Sequence, residues 1–272
     1  MVDDHGVGRR ERHRLGYDIH GPADAPVVVL GSSLGTTRAM WDPQLDALSA
    51  SFRVIRYDHL GHGASEVPPG PYSIEGLAAD LIGLLDELGV RRAHLGGLSL
   101  GGMVALQAAA AFPERVDRLA VICSSAHLPP ADGWRERAAT VRDGGMAAVA
   151  DRVVARWFTS AFAETAAAKA LYDDLLRTPA EGYAGCCEAI AAMDLRPVLS
   201  QVRSPTLVVA GEQDPATPIE HARTVADGVA QGGAPVRVET VRPAAHLGSV
   251  ERPEEVSGLL LDHLRTSAGE SA

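Results

Sequence analysis

Cysteine is scarce in this 272-residue chain. Cys123, Cys186 and Cys187 are an odd number with two adjacent, a pattern that excludes a disulfide framework and suits a reducing, cytoplasmic setting. No Cys/His spacing of a metal site occurs, so neither a metal nor a cofactor is expected. Long apolar runs are missing too, and the longest are far too short to cross a bilayer. The first 14 residues carry Arg9, Arg10, Arg12 and Arg14 with no apolar segment before Pro22. The expectation there is a frayed tail rather than a secretory signal. Basic residues are in deficit, 25 against 35 acidic, for a net charge of −10. Such a field repels nucleic acid and anionic membrane, so neither is an expected partner. An anionic small substrate would then need local positive charge or hydrogen-bond donors in its pocket.

Apolar residues are plentiful, at 46% against 22% charged, enough for a sizeable core. No Pro/Gly/Ser-rich linker or charge run divides the chain, which favours one domain carrying an insertion. Leu15 to His20 alternates like an edge strand, and Val27-Val28-Val29-Leu30 is a continuous apolar run of the kind found in buried parallel strands. Further strands are expected at Phe52 to Tyr57, Ala93 to Leu98, Val116 to Cys123, Thr206 to Ala210 and Val236 to Val241. Helices are expected around Met40 to Leu48, over Ile74 to Leu88 with a stop at Gly89, and over Gly102 to Phe112. Alternating strands and helices imply a mostly parallel, doubly wound α/β sheet.

Residues 127–195 break that rhythm. They contain Ala-rich helical stretches, no strand-like run, and Trp134, Trp157, Phe158, Phe162, Tyr172 and Tyr183, half of the 12 aromatics. We expect a helical cap or lid over 127–195, inserted into a core formed by 1–126 and 196–272. Most of its aromatics should be packing residues, with one or two touching a ligand.

Gly97-Leu98-Ser99-Leu100-Gly101 lies between an expected strand and an expected helix. This is the context of a nucleophile elbow, a tight turn that presents a serine hydroxyl beside the unpaired N–H groups of a helix N-terminus. A serine hydroxyl is a poor nucleophile at neutral pH and needs a base, which in turn needs a partner to hold its tautomer. Asp214 follows the strand ending at Ala210, and His246 follows the strand ending at Val241. Each sits where α/β sheets build sites. Singly, Asp214 reads equally as a turn or helix-cap residue, His246 as a solvated loop histidine and Ser99 as a helix cap. Jointly, the order Ser99, Asp214, His246 marks a catalytic triad. Glu212 is the competing acid, two residues early and expected to face solvent. His59, His62 and His127 are expected to be structural or pocket-lining. An oxyanion hole needs two amides aimed at one point. Leu100, directly after the nucleophile, supplies one, and the loop Gly31-Ser32-Ser33-Leu34-Gly35 supplies the other, best placed at Leu34 with Ser33 adjacent.

With these residues in hand, the chain resembles the α/β-hydrolase superfamily from about Leu15 to Leu264. Asp58-His59-Leu60-Gly61-His62-Gly63-Ala64-Ser65 resembles that family's structural Asp-x-x-Gly-x-Gly-x-Ser turn. Its common His-Gly before the first oxyanion residue is replaced by Ser32-Ser33. That loop, Met40-Trp41-Asp42-Pro43-Gln44, Gly97 to Gly102, Trp157-Phe158 and His246-Leu247-Gly248-Ser249-Val250-Glu251-Arg252-Pro253 together resemble the 3-oxoadipate enol-lactonases of bacterial aromatic breakdown. Some relatives are fused to a carboxymuconolactone decarboxylase domain, and the expectation here is the lactonase alone. The resemblance implies a small anionic lactone as substrate, attack by Ser99, proton transfer by His246 and support from Asp214. Candidates to hold the substrate carboxylate are the Trp134 indole N–H, which the resemblance favours, Arg137, Arg156 and Arg38. Alternatives are a general carboxylesterase or cofactor-free perhydrolase with the same triad, or a slow-turnover ligand receptor. Epoxide hydrolases and dehalogenases of the fold are disfavoured because they place Asp where Ser99 stands. Oligomeric state and any role of Cys186 and Cys187 stay open.

Overall fold

The computed structural model describes residues 13–265, so the expected tail lies outside the described residues except for His13 and Arg14. In chain order the first part comprises β1 (Tyr17–His20), β2 (Val27–Gly31), α1 (Asp42–Ser49), β3 (Arg53–Tyr57), α2 (Ile74–Glu87), β4 (Ala93–Leu98), α3 (Leu100–Ala111) and β5 (Val116–Ile122). Four helices follow, α4 (Ala131–Gly144), α5 (Ala150–Val154), α6 (Ala166–Arg177) and α7 (Ala180–Ala192). The chain then returns to the sheet with β6 (Thr206–Gly211), α8 (Ile219–Gln231), β7 (Val236–Val241), α9 (Gly248–Glu251) and α10 (Pro253–Arg265).

The sheet order is β1-β3-β2-β4-β5-β6-β7. Among the described strands β1 alone runs antiparallel, with Tyr17 opposite Tyr57. The continuous apolar runs take the centre: every residue of β4 is buried, and Val28, Val29 and Leu30 of β2 are shielded from solvent, as parallel strands covered on both faces require. β7 at the edge leaves Val238 exposed. From β3 on one side of β2 the chain crosses to β4 on the other, and the reversal opens a crevice beyond the carboxyl ends of β2 and β4. Gly31 pairs with Gly97 there, so the loops that leave the two strands emerge side by side. At the other end of the sheet Gly211 pairs with Val241, which does the same for the loops carrying Asp214 and His246.

Element types follow the apolar periodicity, and the boundaries move for local reasons. α2 starts where the Ser73 hydroxyl caps the Gly76 amide at 3.0 Å and ends before Gly89, which adopts φ +66°. α3 begins at Leu100 rather than Gly102: the paired glycines lower helix propensity, but packing against the neighbouring strands overrides it. The helix expected from Met40 begins instead as a 3₁₀ turn over Arg38–Trp41, with α1 starting at Asp42 and Pro43 in its first turn. All three cysteines are free and buried. No described helix is long and apolar enough to cross a membrane.

Candidate active site

Ser99 is the residue between β4 and α3, and its backbone is at φ +54°, ψ −115°, a conformation that costs a non-glycine residue about 1–3 kcal/mol. Surrounding bonds hold it there. The Ser99 amide donates to the Ile122 carbonyl at 2.9 Å, and the Ser99 carbonyl accepts from the Met103 amide at 3.0 Å and the Ser124 hydroxyl at 2.7 Å. The flanking glycines are demanded by contact: a Cβ on Gly97 would lie 2.1 Å from the Gly101 carbonyl carbon, and one on Gly101 would lie 2.1 Å from the Gly31 carbonyl oxygen. The same closeness lets the Gly101 amide donate to Ser32 O at 3.0 Å, which ties the elbow to the loop after β2.

Asp214 and His246 come together from the loops after β6 and β7. His246 Nδ1 donates to Asp214 Oδ2 at 2.8 Å, and both residues are about 95% buried. Asp214 Oδ2 also accepts the Thr217 hydroxyl at 2.6 Å, while Oδ1 accepts the Ala216 and Thr217 amides at 2.7 and 3.0 Å. Burial alone would raise the Asp214 carboxyl, but the imidazole and the Thr217 donors outweigh it and hold the group below the ordinary carboxylate range. With Nδ1 engaged, Nε2 is the imidazole nitrogen left to work as a base. His246 and Ser99 line one cavity together with Ser33 and Leu34. Glu212 pairs with Arg242 at 3.1 Å on the surface, and His127 Nδ1 is engaged by the Met193 carbonyl.

Two residues not singled out from the sequence secure this geometry. Thr217 completes the shell of Asp214 through the compact Asp-Pro-Ala-Thr turn, whose side-chain-to-backbone capping pattern is a readable signal. Glu251, buried in α9, joins the His246 loop to the segment after α5. Its carboxylate accepts the Ala245 amide at 2.5 Å on one oxygen and the Thr159 amide and hydroxyl at 2.8 and 2.7 Å on the other. The Leu247 amide adds a bond to the Trp157 carbonyl at 2.8 Å. Glu251 lies in the run His246 to Pro253 that carries the resemblance, but nothing local gives it this bridging role, because Thr159 is 92 residues away.

The loop after β2 is held from behind by two histidines. The Gly35 amide donates to His62 Nε2 at 3.0 Å, His62 Nδ1 faces the Leu60 carbonyl, and His59 Nε2 faces the Ser32 carbonyl at 2.9 Å. Leu34 lines the cavity with Ser99, and the amide of Leu100, the next residue and in the first turn of α3, has no intrahelical acceptor. Both histidines are buried and neutral: burial pushes His59 down to about 3, helped by the neighbouring His62, and pushes His62 down to about 4. An unfolded histidine binds its proton near pH 6.5. The unfolded state therefore takes up more protons between that value and the folded ones, and stability present above pH 6.5 is lost as the pH falls toward 4. For two such groups the slope is on the order of 2 kcal/mol per pH unit. Thermal unfolding between pH 7 and 4.5 should show a progressively lower Tm, and a flat profile would contradict neutral burial of this pair.

The wall facing the triad comes from the helices between β5 and β6. Trp134, Val153, Trp157 and Tyr183 give it an apolar surface, and Arg137 and Arg156 give it charge. Three of the six aromatics of this segment thus reach the cavity, where one or two were expected: Trp134 from α4, Trp157 from the turn after α5 and Tyr183 from α7. The Trp134 indole N–H is not available as an anchor: it donates to Leu128 O at 3.0 Å, and the ring lies under the Arg137 guanidinium at 4.4 Å. Arg38 is removed from the candidates as well, since it pairs with Asp58 and Asp18. Arg137 Nε is buried without an acceptor, and among the described residues no carboxylate pairs with Arg137 or Arg156. Burial pushes the Arg156 guanidinium down, and the Arg137 charge acts in the same direction.

Residues 26–253 match the α/β hydrolase fold family. The chain is 38% identical over 242 residues to 3-oxoadipate enol-lactonase 2 of Acinetobacter baylyi, a match covering 88% of this chain and 89% of that protein. Its fold superposes with a TM-score of 0.90 on the crystal structure of the enol-lactonase from Burkholderia xenovorans, at 39% identity and covering 93% and 97% of the two chains. It is also 32% identical, over 94% of its own length and 98% of the other, to a protein of Stutzerimonas stutzeri named as a carbamate hydrolase, RutD, by assignment.

Proposed function

The chain is a hydrolase of the α/β-hydrolase fold family, in the group that includes the 3-oxoadipate enol-lactonases, and from that premise we propose that it opens the lactone ring of 3-oxoadipate enol-lactone through an acyl-enzyme on Ser99. The observation that carries this reading is the cavity's polarity. Ser99 and His246 share its lining with apolar side chains and with two guanidiniums that have no carboxylate partner among the described residues. Such a cavity suits a small ester that carries a carboxylate, because a desolvated anion needs charged partners.

In this reading the Ser99 hydroxyl oxygen attacks the lactone carbonyl as His246 Nε2 takes its proton. The negative charge moves to the carbonyl oxygen, between the Leu34 and Leu100 amides. Collapse breaks the ring C–O bond and expels an enolate, which takes up a proton and tautomerises to the ketone. A water deprotonated by His246 attacks the acyl ester, Ser99 recovers its proton, and the product leaves with two carboxylates where the substrate had one. Inside a protein of net charge −10 that added charge favours release.

The test is to follow loss of freshly generated enol-lactone beside a simple aryl ester and a carbamate. We expect kcat/KM for the lactone to exceed both by orders of magnitude. Arg137→Ala should raise KM for the lactone about tenfold or more, while a neutral ester keeps its KM. Equal handling of lactone and aryl ester would instead describe a general carboxylesterase, and preference for the carbamate would align the chain with the RutD-named relative.

A further inference from the structure

A second, solvent-open cavity adjoins the catalytic one. The two share Arg137, Arg156 and the Trp134 ring, while Arg152 and Glu136 line the outer cavity alone. Arg152 lies on α5 and Arg156 in the turn just after it, and α4 brings Arg137 to the same space. Like charges gathered around one space repel one another. The usual remedy is a carboxylate, and this chain has ten more acidic than basic residues to provide one. Yet among the described residues none of the three arginines has a carboxylate within ion-pair distance, although Arg38 and Arg56, which line another cleft together, are both paired. Glu136, exposed on the same wall, forms no ion pair with any of them.

We propose that the outer cavity is an antechamber for small carboxylates, in which Arg152 first captures the anion and hands it to Arg137 and Arg156 at the boundary with the catalytic cavity, with the dicarboxylate product leaving by the same path. This rests on the enol-lactone reading only in that the substrate is an anion. A cleft with one sign of charge focuses the field and raises the local concentration of its counter-ion. It is the local positive charge that a protein of net −10 needs in order to collect an anionic substrate. Arg137 serves both cavities and cannot separate capture from binding; Arg152 can, since it stands outside the catalytic cavity.

The test uses Arg152→Glu, with Arg91→Glu as a control that changes the net charge equally at the opposite end of the sheet, just before β4. For Arg152→Glu at low ionic strength we expect the ratio of kcat/KM for the lactone to that for a neutral aryl ester to fall about tenfold, with kcat for the lactone kept. The deficit should shrink to less than twofold at about 0.5 M salt, where screening reaches about 4 Å. Adipate, a stable dicarboxylate, should bind the wild-type protein in calorimetry and bind Arg152→Glu several-fold more weakly, with Arg91→Glu matching wild type in both assays. If the lactone is not a substrate but adipate binding still depends on Arg152, the antechamber stands and the enol-lactone reading falls. If the lactone is turned over and Arg152→Glu matches Arg91→Glu in both assays, or if adipate fails to bind wild type at millimolar concentration, the antechamber is overturned.

Discussion

Replacement of Ser99 by alanine is expected to lower kcat on the order of 10⁶-fold while leaving the fold intact. The two halves of that expectation come from different parts of the residue. The backbone conformation at φ +54° is held by bonds to the Ser99 amide and carbonyl, made by Ile122, Met103 and Ser124, and alanine keeps all of them. The hydroxyl takes part in none of these bonds, so its loss removes the proposed nucleophile and little else. The Leu34 and Leu100 amides and the arginine wall would still bind and polarise a carbonyl, which accounts for a residual rate of 10³–10⁴ over water. A Ser99→Ala protein should thus unfold within a few degrees of wild type and still bind adipate, while turning over neither lactone nor aryl ester at a useful rate. Retention of more than a hundredth of the wild-type kcat would mean that some other group or an activated water attacks the substrate, and the acyl-enzyme would have to be abandoned.

The parts of this molecule legible in the sequence are those governed by short-range rules. Strands such as Val27–Gly31 and Ala93–Leu98 announce themselves because both faces are covered and, His94 apart, no position is polar. The grouping of Asp214 with His246 is legible because parallel strands fix which loops emerge together, so that two residues 32 positions apart meet as soon as β6 pairs with β7. The arginines are another matter. Arg38, Arg137 and Arg156 are equivalent on paper, and what separates them is the set of carboxylates folding brings within reach. Arg38 meets Asp18 and Asp58, whereas Arg137 meets a tryptophan ring and Arg156 meets no carboxylate. Trp134 shows the same limit in reverse, for the Leu128 carbonyl that occupies its N–H is placed by the turn leading into α4. Long-range pairings of single polar atoms leave no periodic trace, and the dependence of the His246 loop on Glu251 is hidden for the same reason.

Asp214→Asn is expected to lower kcat about 10⁴-fold with little change in Tm. The side chain's own surroundings decide which way an asparagine would face. The Oδ1 position receives two backbone N–H groups, from Ala216 and Thr217, and only a carbonyl oxygen satisfies them. The amide nitrogen is therefore driven to the Oδ2 position, where it presents N–H to His246 Nδ1, 2.8 Å away in the native protein. The imidazole must then accept at Nδ1 and carry its proton on Nε2, so the nitrogen proposed as the base becomes a donor and cannot take the hydroxyl proton. The Thr217 hydroxyl, which now donates at 2.6 Å, can rotate, so packing changes little. The loss should appear in kcat for lactone and aryl ester alike, because the tautomer is set before either substrate binds, and adipate binding should be spared. A variant within tenfold of wild type on both substrates would show that His246 keeps its working tautomer without the carboxylate, and the role given to Asp214 would pass to another group.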